Sequence, residues 1–238
     1  MTSKALPDRL VGALGPDIVS GRLAAGDVLR LTELEARFAV SRTVVRDAVR
    51  RLEGAGLVAA RRSVGITVQP AARWDVYHPA VIRWRLADPG ARRAQLRSLG
   101  ELRAAVEPSA AALAARRADP DQCRRLSALG ADLTTTARSG DMAAFAGHDR
   151  EFHTLVLEAS GNEMYVRLGE VVEEVLRGRG ELRLMPRHPA SEAVRLHRAV
   201  AEAVCAGEPE DAARAMRGIV DQAMEEIAED LDARDGAA

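Results

Sequence analysis

The sequence is poor in cysteine, with Cys123 and Cys205 alone in 238 residues. Two cysteines build neither a disulfide framework nor a zinc ribbon. Aromatic residues are equally scarce: two Trp, two Tyr and three Phe give no stacking platform of the kind that holds single-stranded nucleic acid. No window approaches the roughly 18 consecutive apolar residues that a membrane span requires. The first ten residues carry Asp8 and Arg9 where a secretory signal would keep its apolar segment. Lysine is reduced to Lys4 among 34 basic residues, which with the abundant alanine reads as genomic codon bias. These absences predict a cytoplasmic, reduced protein without a membrane partner.

What is present is a globular balance of 47% hydrophobic and 29% charged residues, enough for one large domain or two modest ones. The net charge of −1 conceals an asymmetry. Residues 1–73 hold 12 Lys/Arg against 7 Asp/Glu, and residues 74–238 hold 22 against 28. A basic module for a polyanion beside an acidic module with another task is one reading; fluctuation on solvated surfaces is the other.

The first 70 residues read as three helices and a hairpin. Asp8 to Ser20 places Leu10, Val11, Leu14, Ile18 and Val19 at helical spacing and stops at Gly21. Thr32 and Glu35 form the pattern of a capping box for a short helix ending near Phe38. Ser41 then caps a third helix over Arg42 to Glu53, a tight connection that suggests helix-turn-helix geometry. On that helix Val45, Ala48, Val49 and Leu52 share an apolar face, while Arg42, Thr43, Arg46 and Arg50 share the other. Arginine can bind guanine O6 and N7 with two hydrogen bonds, so this face suits a major groove. An ordinary solvated arginine face has the same pattern. After Gly54 and Gly56, Leu57–Ala60 and Ile66–Val68 are strand candidates around the basic loop Arg61-Arg62-Ser63-Val64-Gly65, with a glycine at its tip. Helix, turn, helix and basic hairpin in that order describe a winged helix.

Residues 8–69 resemble the GntR family of bacterial transcription regulators. The resemblance is carried by Gly26-Asp27-Val28-Leu29, Glu33-Leu34, the run from Val40-Ser41-Arg42-Thr43 to Arg46-Asp47-Ala48-Val49-Arg50, Gly56-Leu57-Val58 and Gly65. It implies operator contacts by Arg42, Thr43, Arg46 and the wing around Gly65, with Thr32, Ser41, Arg50, Arg61 and Arg62 completing the expected DNA-binding surface. The chain departs from the family pattern at Val44, usually proline, at Ala39, usually glycine, and at Leu31-Thr32, often Glu-Arg. Thr32 thus removes a positive charge from a contact position, so the operator of relatives does not transfer.

Beyond the linker Gln69–Arg73 no strand pattern recurs. Breaks at Asp88-Pro89-Gly90, Asp119-Pro120, Ser139-Gly140, Gly161-Asn162, His188-Pro189 and Gly207-Glu208-Pro209 divide residues 80–234 into six or seven helices, an all-α bundle. Asp119-Pro120 and Ser191-Glu192 read as helix starts. All five histidines lie here. Asp149 and His153, four apart, share a helix face and form half a divalent-metal site, with His197 able to supply a further ligand. An intrahelical Asp–His pair without metal has the same spacing and is commoner.

This half is similar to the ligand-binding (FCD) domain of FadR-type GntR regulators over roughly 74–225. The similarity rests on Glu101-Leu102-Arg103 with Val106-Glu107-Pro108, on Asp149-x-x-Phe152-His153, and on His197-x-x-Val200-x-x-Ala203. Trp74, Asp75 and Trp84 look like the lead-in of members that respond to sugar acids. Many members hold a divalent ion with one aspartate and three histidines and bind a carboxylate effector beside it. Asp149, His153 and His197 match three positions; the fourth, about 22 residues after His197, is Ile219 here. Three ligands leave open positions for effector oxygens, and zinc is the expected ion. Arg103 matches a position that can face the effector.

The expectation is therefore a mostly α protein. It comprises an N-terminal winged helix-turn-helix (1–69), a linker (70–79) and an all-helical effector-binding and dimerisation domain (80–238). It is expected to be a homodimeric repressor rather than an enzyme, released from double-stranded operator DNA by a sugar acid such as galactonate or gluconate. Lactate or another hydroxy acid, or a fatty acyl ligand, are alternatives. A metal-dependent hydrolase, suggested by His148-Asp149, lacks upstream ligands apart from His78 and leaves the basic helix unexplained.

Overall fold

The computed structural model describes residues 5–61, 64–181 and 191–235. The chain divides into two compact units, 1–95 and 96–238.

The first unit begins with α1 (Ala5–Val19), whose Leu10, Leu14 and Ile18 recur every four residues and are buried. α2 (Leu31–Phe38) buries Leu34 and Phe38, and α3 (Arg42–Gly54) buries Val45, Ala48, Val49 and Leu52 against the same core. Two details of α2 differ from the sequence reading. The helix starts one residue before Thr32, with Arg30 as the cap residue in extended conformation and no side-chain cap bond, so the Thr32–Glu35 capping box does not form. Arg30 O already accepts from the amides of Glu33 and Leu34, which places Thr32 inside the first turn, where its hydroxyl no longer faces the orphan donors. At the other end Ala39 adopts the left-handed conformation (φ 53°), the conformation that favours glycine at a helix terminus.

Three short strands complete the unit: β1 (Val28–Leu29), β2 (Val58–Arg61) and β3 (Gly65–Val68), antiparallel in the order β1-β3-β2. β1, too short for any periodicity, is absent from the sequence reading. In the register Arg61 faces Gly65, so Gly65 lies where β3 begins, at the base of the hairpin loop rather than its tip. Residues 62 and 63, and hence the expected contact Arg62, lie outside the described residues. Glu53, at the end of α3, accepts a 2.7 Å hydrogen bond from the amide of Ala60 and so fixes β2 to α3.

The segment after β3 is held to this unit. Trp74 Nε1 donates to Gln69 O (3.0 Å) and the Asp75 amide donates to Ala55 O (3.0 Å). α4 (Pro79–Ala87) follows, with Val81 and Trp84 in the first unit's apolar core; the absence of a side chain at Gly15 makes room for the Trp84 ring. Gly56 sits in a turn against main chain: its φ is +73° and a Cβ there would lie 2.3 Å from the Arg73 carbonyl oxygen. Gly56→Ala should lower stability by about 1–3 kcal/mol, from backbone strain plus a clash with main chain that cannot rotate away. An unchanged denaturation midpoint would refute that packing.

The second unit is wholly helical among the described residues. α5 (Pro89–Arg117) leads into α6 (Pro120–Ser139), α7 (Met142–Ala159), α8 (Glu163–Glu181), α9 (Ser191–Ala206) and α10 (Pro209–Asp235). The Asp119 start is a reciprocal capping box: its carboxylate accepts from the Gln122 amide (2.8 Å) and Gln122 Oε1 accepts from the Asp119 amide (3.1 Å). α6 ends at Gly140 in the left-handed conformation. α7 packs against α6 and α8, and α9 against α6 and α10. Their shared core includes Leu126, Leu133, Phe152, Val156, Val200, Met216 and Ile219. No helix among the described residues is long and apolar enough to cross a membrane.

Candidate functional site

The α3 surface separates arginines by what they touch. Arg51 is committed within the protein, 2.5 Å from Asp8 Oδ1 and 2.9 Å from Asp47 Oδ2. Arg42, Thr43, Arg46 and Arg50 are exposed, and no ion pair involves these three arginines among the described residues. Ser41 is the cap residue of α3, with extended backbone (φ −71°, ψ 157°) and no side-chain cap bond. Thr32 and Arg61 are also exposed. Charge without an internal partner on a helix packed firmly by its opposite face is an arrangement suited to phosphates and base edges.

In the second unit, five buried polar residues from three helices meet: Arg103 and Glu107 of α5, Asp149 and His153 of α7, and His197 of α9. Each is at most 6% exposed. His197 Nε2 lies 3.0 Å and His153 Nε2 3.7 Å from Asp149 Oδ1. One ligand atom from each of these three residues falls within 4.8 Å of the others. The donor arms of about 2.0–2.1 Å around zinc put tetrahedral ligand atoms roughly 3.4 Å apart, between the two observed separations. Burial of these rings needs compensation. Yet Nε2 of neither His153 nor His197 has an aligned hydrogen-bond partner among the described residues. Donor types, spacing and orphaned nitrogens together fit a divalent cation held by Asp149, His153 and His197.

The other ring nitrogens are oriented from outside the triad. His197 Nδ1 is 2.7 Å from Ala193 O, and His153 Nδ1 is 2.6 Å from Glu107 Oε2. A backbone carbonyl and a carboxylate behind ligating imidazoles are the usual means of fixing their orientation. The His153 and His197 rings lie edge to face (5.6 Å, 84°), with Phe152 packed against both. Glu107 in turn receives Arg103 through Nε (2.5 Å) and Nη2 (3.3 Å). Burial alone would push the Glu107 carboxyl up, but the Arg103 charge first, then the electrostatic and hydrogen-bond contributions of the adjacent His153, outweigh it and hold it down at about 2. Burial would likewise depress Arg103; the adjacent Glu107 charge, its hydrogen bond and Asp149 reverse the direction and raise it. The pair is thus ionised inside the bundle.

The structure therefore brings together Asp149, His153 and His197, and it places Arg103 behind them with two nitrogens already engaged by Glu107. Glu107, which joins Arg103 to His153, is a member of this cluster that sequence reasoning does not single out. Its signal is a basic–acidic pair four apart on one helix, but that spacing is common on solvated faces and says nothing of burial. Ile219 is buried in the apolar core and offers no ligand atom. His148, the other half of the hydrolase-like pair, stands outside the triad, and His78 caps α4 by accepting from the Ala80 amide (3.2 Å). A hollow of about 510 Å³ lies between α6 and α9, lined by Thr134, Val194, Arg195 and Arg198 among others; none of the triad lines it.

A winged helix with a free arginine face, together with a helical unit enclosing an Asp-His-His cluster, defines a DNA-binding regulator with a separate helical domain. Residues 6–68 match the gntR family of bacterial regulatory proteins, and residues 98–222 match the FCD domain. The chain belongs to the GntR family, in its FCD-containing branch, and is a transcription regulator of that kind. It is 29% identical over 171 residues to the galactonate operon transcriptional repressor of Escherichia coli K12, covering 71% of this chain and 73% of that one. It is 28% identical over 205 residues to a probable D-xylose utilization operon transcriptional repressor of Paenarthrobacter nicotinovorans, covering 84% and 79%. The fold matches that of E. coli McbR/YncC, with a TM-score of 0.56, 21% identity and coverage of 97% and 99%.

Proposed function

We propose that this regulator is a homodimeric repressor whose operator binding is relieved by a small carboxylate, a sugar acid such as galactonate or gluconate, held beside a divalent metal ion. Residues 1–69 bind DNA, and the helical unit 96–238 binds the effector and dimerises; residues 70–79 and α4, packed on the first unit, lead from one to the other. The observation that carries this reading is the buried Asp149–His153–His197 triad, whose His153 and His197 Nε2 atoms have no aligned partner. Three protein ligands leave coordination positions for water or for the oxygens of a hydroxy acid. The metal would supply a fixed positive charge and directional oxygen binding. Arg103 adds a second cationic charge to the same cluster. The relative that acts on a galactonate operon supports the sugar-acid class.

On the DNA side, Arg42, Thr43, Arg46 and Arg50 of α3 enter the major groove, with Thr32 and Ser41 at the adjacent backbone. Arg61, Arg62 and Gly65 of the wing meet the phosphates. A two-fold dimer places two such helices on half-sites about one helical turn apart. Release requires the effector to bind the DNA-free arrangement better than the DNA-bound one.

Fluorescence anisotropy with DNA from upstream of the protein's own gene tests this, using protein either zinc-loaded or stripped with chelator. Specific binding is expected to be lost on adding galactonate or gluconate, only in the metal-loaded protein. Release by lactate or a fatty acyl ligand instead would replace the sugar acid. Release that ignores the chelator would remove the metal from the reading.

A further inference from the structure

The two cysteines play no part in the DNA or metal sites, yet the fold brings them together from positions 82 residues apart. Cys123 lies in the first turn of α6, which opens at Pro120, and Cys205 in the last turn of α9, which closes at Ala206. Cys205 Sγ is 3.5 Å from Cys123 O and 3.7 Å from Ser127 Oγ, one turn further along α6. The Cys205 thiol is therefore seated on the face of α6 that carries Cys123. Both thiols are free; Cys205 is exposed and Cys123 half-buried. α6 and α9 are packed neighbours, so the approach is set by two helices and not by a wandering loop.

We propose that Cys123 and Cys205 are a reversible dithiol switch, closed by a hydroperoxide into a disulfide that staples α9 to α6. Cys205, the exposed sulfur, attacks the peroxide oxygen; the O–O bond breaks, an S–O bond forms and one molecule of water or alcohol departs, leaving a sulfenic acid. Cys123 then attacks that sulfur, an S–S bond forms as the S–O bond breaks, and the Cys123 proton leaves with the hydroxide as water. Two thiols give up two electrons to the peroxide, which is the only co-reactant. Burial first, then the neighbouring Cys205 thiol, pushes Cys123 up to about 11, which keeps it protonated at neutral pH and leaves the initial attack to Cys205. The staple acts on the helix that carries His197, eight residues or about 12 Å before Cys205. It thereby ties the end of a candidate metal-binding helix to its neighbour.

The test uses the full-length reduced protein, treated with stoichiometric hydrogen peroxide and assayed under denaturing conditions. Titratable thiols should fall from two to none per chain, and the intact mass should fall by two hydrogens. Digestion should yield one peptide pair joined through Cys123 and Cys205, and dithiothreitol should restore both thiols. In the Cys123→Ser variant, Cys205 should instead persist as a sulfenic acid captured by dimedone. Two thiols surviving peroxide in the wild-type protein, or a disulfide found only between chains, would overturn the proposal. So would equal dimedone capture at Cys205 with and without Cys123.

Discussion

Arg46→Ala should reduce affinity for the specific operator about five- to 150-fold while leaving non-specific DNA binding nearly unchanged, the range expected for losing one base-edge arginine. Arg46 is exposed in the second turn of α3, directly after buried Val45, so the helix fixes its origin while leaving its guanidinium free. Arg51 provides an internal comparison on the same helix. Its bonds to Asp8 and Asp47 lie within the protein, so Arg51→Ala should affect the seating of α3 on α1 and change sequence preference little. Arg61→Ala should differ from both: removing a phosphate-binding charge from the wing weakens binding to all DNA alike and lowers its salt dependence by about one ion. Competition titrations against operator and scrambled duplexes at several salt concentrations separate the three outcomes. Equal losses on both duplexes for Arg46→Ala would remove it from base readout.

The sequence makes the arginine face legible because a 3.6-residue period sorts Val45, Ala48, Val49 and Leu52 from Arg42, Arg46 and Arg50 without reference to any other element. Local chemistry is legible for the same reason at Asp119–Gln122, where the capping box needs only residues three apart. It fails at Thr32, where the same pattern stands two positions too far into the helix and Arg30 takes the cap. β1 consists of two residues paired with β3, so its existence as a strand depends on a partner nearly 40 residues away. The Asp149–His153–His197 cluster is intermediate. Asp149 and His153 are visible as an i, i+4 pair; His197 can be offered as a further ligand, but nothing local sets a histidine of α9 against α7. Glu107 is harder still, since its importance lies in being 1% exposed, a property of α5 packed against α7 and not of its neighbours in sequence.

Glu107→Leu should be the most damaging single substitution in the second unit. It leaves the Arg103 guanidinium, 3% exposed, without its carboxylate, and an uncompensated buried charge costs about 3–5 kcal/mol. It also removes the oxygen 2.6 Å behind His153 Nδ1, and loss of such a partner typically costs 10–100-fold in metal affinity. The two effects separate in a second variant. Arg103→Met combined with Glu107→Leu removes both charges and fills the space with apolar groups, which at buried ion pairs recovers most or all of the stability. His153 still lacks its carboxylate in that protein, so metal affinity should remain low while the denaturation midpoint returns toward wild type. Urea unfolding of the apoprotein and competition with a chromophoric zinc chelator read the two quantities independently. If the double variant regains both, Glu107 serves only to neutralise Arg103. If it regains stability alone, the carboxylate orients His153 for the ion, and the Arg103–Glu107 pair is the support on which the metal site is built.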